Sequence, residues 1–307
     1  DVVIEAVFED MEVKSDIFRA LDRIARPGAI LATNTSYLDV DALAAVTTRA
    51  QDVLGLHFFS PANVMRLVEV VRAKHTAPDA LLTGFELGKT LGKLPIVSGV
   101  CFGFIANRML AQRSLAADRL LLDGAAPRQV DDAITAFGFR MGHFAMLDMA
   151  GLEIGYRARK ITGYQAPVAD ALAAQGHYGQ KTGRGFYRYA PGARKGEDDA
   201  DTQALIVAMA QDRGLARRAF GDDEIIARLF YAVVNEGAKI LDEGIAARAS
   251  DVDLVWINGF GWPAATGGPM AWADSVGLAT IVAALERDAA AMNDPASTSA
   301  CAFSCTK

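Results

Sequence analysis

Residues 55 to 71 read "GLHFFSPANVMRLVEVV", and two side chains interrupt their apolar runs: His57, beside Leu56, Phe58 and Phe59, and Glu69, inside Leu67 to Val71. A carboxylate buried without a partner costs several kcal/mol or is driven to protonate, so Glu69 requires a donor. A neighbouring strand that carries His57 would supply one. A carboxylate on one imidazole nitrogen fixes the tautomer, leaves the other nitrogen as a base and stabilises the imidazolium that forms. The residues alone leave a general-base dyad and a structural ion pair both open.

Two further stretches place polar groups where a ligand could meet them. In "LATNTSYL" a strand ends at Thr33 and runs into Asn34-Thr35-Ser36. Ligands of open α/β sheets bind outside the carboxyl ends of strands. Asn34 and Ser36 are therefore either site residues or ordinary loop polarity. In "GVCFGFIANRML" Asn107 opens an otherwise apolar helix, where its amide must find partners, either on a substrate or as a cap between two domains. "GFGWPA" (259–264) has a dinucleotide-like glycine spacing, but it follows a helix and contains Pro263, and reads as a turn. "GQKTGRG" (179–185) lacks the order of a phosphate loop and a preceding strand, and reads as structural. His75, His143 and His177 are scattered, and no Cys/His cluster has ligand spacing, so no metal is expected.

The elements that would position these residues alternate in type over the first hundred positions. Strands are expected at 2–5, 29–33, 53–58, 67–71 and 94–97, and helices at 11–25 and 78–92. Such alternation specifies a doubly wound α/β sheet. Beyond Gly99 the strand signal stops. Helices are expected at 104–122 and 126–137, a polar linker at 190–203, and a second helical block from 222 to about 285. The two helical blocks share an ordered set of residues. Asn107-Arg108, Asp123-Gly124, Val130-Asp131, Phe137-Gly138-Phe139, Gly142, Asp148 and Gly151-Leu152 recur as Ala227-Arg228, Glu243-Gly244, Val252-Asp253, Phe260-Gly261-Trp262, Gly268-Pro269, Asp274 and Gly277-Leu278. The separation drifts only from 120 (108 to 228) to 126 (151 to 277), the pattern of a duplicated unit.

Bulk properties fit this organisation. A chain of 307 residues, 51% hydrophobic and 22% charged, suits about two globular domains. Its net charge of −6 and pI near 5.3 supply no basic field for nucleic acid. The longest apolar stretch, 94–106, is broken by Ser98, Gly99 and Gly103 and falls short of the roughly 20 residues that span a bilayer, so no membrane insertion is expected. The opening "DVVIEAV" has no charged leader region or cleavage site. Cys101, Cys301 and Cys305 make no disulfide framework, which suggests a reducing cytoplasm.

In order, "VIEAVFEDMEVK", "ILATNTSYL", "GLHFFSPANVMRLVEVV" and "GFIANRML" resemble the 3-hydroxyacyl-CoA dehydrogenases. The resemblance continues through "GHFAMLDMAGLEIG", "YGQKTGRGFY", "VNEGAKILDEGIA" and "GFGWPAATGGPM" to about residue 285, and is greatest to the dehydrogenase part of multifunctional fatty-acid oxidation enzymes. It implies an α/β fold: the C-terminal part of a Rossmann-like sheet (1–98), then two duplicated all-α domains (99–192 and 204–288) and a tail (289–307). It implies oxidation of an L-3-hydroxyacyl-CoA to the 3-ketoacyl-CoA with NAD as cofactor. His57 would be the base, Glu69 its orienter, and Ser36 and Asn107 would hold the reacting oxygen and thioester; these four form the catalytic set. Glu9, Lys14, Asn34 and Ser36 match positions that contact NAD. An upstream enoyl-CoA hydratase domain and a thiolase partner are further implications.

The chain departs from the family at three places. It opens at what would be the fourth strand, without a Gly-x-Gly-x-x-Gly turn; it has Gly142-His143 where Gly-Pro is common; and Ala227 stands where the first copy has Asn107, so the second copy is expected to be non-catalytic. Its two copies would then form a pseudo-dimer within one chain. A second reading is a catalytically incompetent fragment serving as an acyl-CoA-binding or scaffold module of a larger enzyme.

Overall fold

The structure is a computed structural model that describes residues 1–292. These gather into two compact units: residues 1–109 with the described residues from 234 on, and residues 110–233.

The first unit is built on five strands, β1 (Val2–Glu5), β2 (Ile30–Thr33), β3 (Val53–Phe58), β4 (Leu67–Arg72) and β5 (Leu94–Gly99), lying side by side in chain order. β1, β2 and β3 are parallel, β3 and β4 antiparallel, and β4 and β5 parallel. The one reversal follows from chain length. A parallel crossover needs about a dozen residues or more, and the segment 59–66 is shorter. Alternating side chains supply both sheet faces. Leu31, Val53 and Val71 pack with Phe18 of helix α1 (Met11–Ile24) and with Val40 and Ala44 of α2 (Val40–Ala45). Ala32, Leu54, Leu56, Val68 and Val70 face Ala80, Leu81 and Leu87 of α3 (Pro78–Thr90). Helices on both faces make the sheet doubly wound, as its sequence alternation requires. Each fully buried Val, Leu or Phe contributes roughly 1.5–3 kcal/mol.

Helix α4 (Ala106–Asp123) starts two residues later than the expected 104, because Phe104 adopts φ 51°, a left-handed conformation that no helix continues through. The unit boundary falls within α4 and again within α10 (Asp222–Asp242). The second unit contains α5 (Pro127–Phe137), α6 (His143–Ala150), α7 (Leu152–Thr162), α8 (Pro167–Ala174), a ribbon of β6 (Tyr187–Arg188) with β7 (Glu197–Asp198), and α9 (Ala200–Asp212). The segment 190–203 is therefore not a plain linker. It carries β7 and the first turn of α9, which Arg184 fastens through Asp199 (2.5 Å) and Asp201 (2.7 Å). The first unit is completed by α11 (Ala249–Gly259), α12 (Pro269–Val276) and α13 (Leu278–Met292). The last helix runs past 288, into what the sequence assigns to a tail; Cys301 and Cys305 lie outside the described residues. No helix among the described residues is long and apolar enough to cross a membrane.

The repeat is visible in local geometry. Asp131 of α5 accepts the Phe144 and Ala145 N–H groups at the start of α6, and Asp253 of α11 accepts the Met270 N–H at the start of α12. A Cβ on Gly142 would collide with Asp131, and one on Gly268 with Asp253. Both helices must begin against a buried carboxylate, and only glycine permits that approach.

Candidate active site

His57 and Glu69 occupy directly opposed positions of the β3–β4 ladder. Both are buried, and His57 Nδ1 lies 2.7 Å from Glu69 Oε2. Opposed side chains of an antiparallel pair share one face of the sheet, so the strand register alone brings imidazole and carboxylate together. Glu69 Oε1 accepts the N–H groups of Ile105 (3.0 Å) and Ala106 (3.1 Å). These are unpaired donors at the start of α4, where a negative charge is also favoured by the helix dipole. The carboxylate thus has a donor on each oxygen. With Nδ1 engaged, Nε2 is the ring nitrogen left to exchange a proton. The ring lies against Phe59 (centroids 4.5 Å apart) and Phe104 (5.6 Å), and their apolar surroundings strengthen its bond to Glu69.

The other residues singled out in the sequence join this pair through a connected set of bonds in the same unit. Asn34 follows β2, and its side-chain oxygen accepts the N–H of Phe58, the neighbour of His57, at 3.1 Å. Lys14 Nζ donates to the Asn34 carbonyl at 3.0 Å and to Glu5 Oε1 at 2.8 Å. Glu9 Oε1 accepts the Thr35 hydroxyl (2.6 Å) and the N–H groups of Ser36 (2.8 Å) and Tyr37 (3.1 Å), shaping the loop after β2. Ser36 and Asn107 enter through their backbones. Among the described residues their side chains make no hydrogen bonds, so each retains its bonding capacity for a ligand.

Sequence reasoning missed Glu5. It ends β1 at only 5% exposure and binds the Val7 N–H, the Thr33 hydroxyl and Lys14. The available signal was an acidic residue closing an apolar strand, with Lys14 on the buried side of the next helix. Lys14 itself is fully buried, so it acts beneath the loop rather than at its surface.

The carboxyl ends of β1 and β2 fit the nicotinamide end of a dinucleotide. Val7 and Phe8 offer exposed apolar surface there, at 43% and 71%, and Ser36 offers an unengaged hydroxyl. The first 101 residues contain no Gly-x-Gly-x-x-Gly, so the contacts this chain supplies are those of the strand-end loops. Among the described residues no group of three or more His, Cys, Asp or Glu could hold a metal ion.

Residues 1–101 match the 3-hydroxyacyl-CoA dehydrogenase NAD binding domain, and residues 103–189 and 225–304 match the 3-hydroxyacyl-CoA dehydrogenase C-terminal domain. The chain belongs to the 3-hydroxyacyl-CoA dehydrogenase family. The peroxisomal bifunctional enzyme of Danio rerio is 44% identical over 93% of this chain, and that of Homo sapiens 40% over 94%. The chain spans 42% of the length of each. Among solved structures, the dehydrogenase part of multifunctional enzyme 1 from C. elegans aligns with TM-score 0.67 at 32% identity, covering 97% of this chain and 69% of that one. The 3-hydroxybutyryl-CoA dehydrogenase of Escherichia coli aligns with TM-score 0.82 at 25% identity, covering 96% and 79%.

Against that dehydrogenase background, His143 is the first residue of α6 where Pro269 opens α12. Proline at this position sacrifices no helical bond. Here the His143 N–H occupies one of the four unbonded positions of the helix start. Burial, with the Arg113 charge nearby, holds its imidazole well below the usual histidine range and so neutral.

Proposed function

We propose that the protein of which this chain is part oxidises L-3-hydroxyacyl-CoA thioesters to 3-ketoacyl-CoA in fatty-acid β-oxidation. The observation that carries this reading is the buried His57–Glu69 pair, with Nδ1 fixed and Nε2 free. His57 takes the proton of the 3-hydroxyl on Nε2, and Glu69 holds the ring and offsets the imidazolium charge. Ser36 and Asn107 hydrogen-bond the reacting oxygen and the thioester, which keeps C3 directed at the cofactor side. NAD⁺, when bound, supplies the acceptor for the hydride that leaves C3. Glu9, Asn34 and Ser36 hold its nicotinamide end, and Lys14 supports that floor through Glu5 and the Asn34 carbonyl. The residues beyond Gly99 divide into copies at 99–192 and 204–288, a division supported by the two stretches that match the C-terminal domain.

The relatives' names, bifunctional and multifunctional, support a further activity in the full-length protein, which we assign to an upstream hydratase domain, with a thiolase as the next enzyme in sequence. A reducing cytoplasm is our reading of location. Peroxisomal relatives make the organelle the competing outcome of a fluorescent-fusion experiment.

NADH formation from 3-hydroxybutyryl-CoA by the full-length natural protein tests the activity. Replacing His57 with alanine is expected to lower kcat about 10²- to 10⁴-fold, the usual worth of a general base. A variant as fast as wild type would remove His57 from the mechanism. Acyl-CoA binding without any NADH formation would favour the scaffold reading.

A further inference from the structure

The first turn of α4 does two things for the site: Ile105 and Ala106 hold Glu69, and Asn107 follows them. The chain reaches this turn through a constrained path, residues 99–105, in which Phe104 takes φ 51°. Such a conformation costs a non-glycine residue of order 1–3 kcal/mol and persists only where its surroundings enforce it. Phe104 itself packs with Phe18, Leu31, Val53 and Val71, and residues of the second helical copy hold the two ends of the path. Gly99 N–H donates to the Ile245 carbonyl at 2.7 Å, and a Cβ on Gly99 would stand 3.3 Å from the Ile245 Cα. Arg108, next to Asn107, donates from Nε to Glu236 at 2.6 Å and from Nη1 and Nη2 to both oxygens of Glu243 at 2.5 and 2.7 Å. Glu236 is buried, and this forked geometry fixes a guanidinium in orientation as well as place.

The repeat shows that the arrangement is specific to the catalytic end. Arg228 corresponds to Arg108, and Asp123 to Glu243, and these two also pair, at 3.1 Å. The residue corresponding to Glu236 is Ala116, which offers no carboxylate. Glu236 thus gives the arginine beside Asn107 a buried acid from the other copy whose matching position in the first copy is an alanine.

We propose that Arg108 is a positioning residue: through Glu236 and Glu243 it uses the non-catalytic copy to fix the first turn of α4, and thereby the Glu69 carboxylate that orients His57. The inference rests on the dehydrogenase reading for its kinetic consequence and on the dyad geometry for its structural one. Loss of the tether leaves the strand-end loops that meet the cofactor in place and lets the orienting carboxylate drift, together with Asn107 of the same turn. The turnover rate then falls while cofactor affinity holds.

The test compares Arg108→Met, Glu236→Gln and the control Arg228→Met in the full-length protein, with two readouts. In steady-state kinetics Arg108→Met is expected to lose kcat roughly 10- to 100-fold, the scale of a displacement near 1 Å, with the KM for NAD⁺ within about twofold. Glu236→Gln, which keeps an acceptor and threatens the fold less, should fall between it and wild type. Arg228→Met should leave kcat unchanged. In proton NMR the His57 Nδ1–H resonance, assigned by its loss in His57→Ala, should shift or broaden in Arg108→Met and stay in place in Arg228→Met. Equal kcat losses in the two arginine variants, or a His57 resonance unmoved in Arg108→Met, would overturn the proposal. If wild type forms no NADH, the dehydrogenase reading fails and the NMR comparison alone decides the positioning role.

Discussion

Two buried polar pairs shape the site residue by residue, and they differed in how plainly the sequence announced them. His57 and Glu69 stood out because each breaks an apolar strand, and opposed register then determined their contact. Glu5 and Lys14 were less visible. A carboxylate at a strand end and a lysine on an amphipathic helix each have ordinary exposed alternatives, and only the packing of α1 buries them together. Removing one partner of such a pair leaves an uncompensated buried charge, typically worth about 3–5 kcal/mol. Lys14→Met is therefore expected to destabilise the protein by about that amount. Lys14→Met with Glu5→Gln should cost clearly less than the sum of the single changes. Urea denaturation of the four proteins gives the coupling directly, and strictly additive losses would show that Lys14 does not neutralise Glu5.

Between elements, one device recurs: a buried carboxylate from elsewhere in the chain takes over the start of a helix. Glu69 holds α4, Asp118 holds α8 through Val168 and Ala169, Asp131 holds α6 and Asp253 holds α12. The residues immediately before α6, α8 and α12 are Gly142, Ala166 and Gly268, none of which makes a side-chain cap. This explains why α8 and the exact start of α4 were illegible: the usual signal is a local Ser, Thr, Asp or Asn, whereas these caps come from distant positions. Asp118 gives the test. Its loss in Asp118→Ala should cost about 1–3 kcal/mol through the two unsatisfied N–H groups. Burial raises its carboxyl from the ordinary 3.8 to about 6, so the folded protein binds this proton more readily than the unfolded chain. Its contribution is then fully present below 3.8 and declines as the pH rises through about 6. The stability gap between wild type and Asp118→Ala should widen when urea midpoints measured at about pH 7.5 are repeated at about pH 4.5. A gap that narrows toward acid would mean that the ionised form is the one the fold prefers.

Across the whole molecule, the duplicated order of residues was readable from one chain, because Asp131 and Asp253, Gly142 and Gly268, and Gly151 and Gly277 answer to the same geometric demand in each copy. What the linear order hid is that the compact units do not coincide with the copies. The boundary falls inside α4 and α10, so each unit takes residues from both. The two ion pairs show why. Arg108 with Glu243 and Arg228 with Asp123 are the same pair with the copies exchanged, each within its own unit. In a dimer of separate chains these would be one contact counted twice; here they are two contacts within a single chain, differing in sequence and free to diverge. Ala227 opposite Asn107 and Glu236 opposite Ala116 are two such differences. If the second copy already satisfies the surface through which a single-copy relative would dimerise, the full-length protein should be monomeric at micromolar concentration by light scattering after size exclusion. Arg228→Ala should lower its melting temperature without changing its mass. A tight homodimer that dissociates on Arg228→Ala would place the reciprocal contact between chains and remove the internal pseudo-dimer.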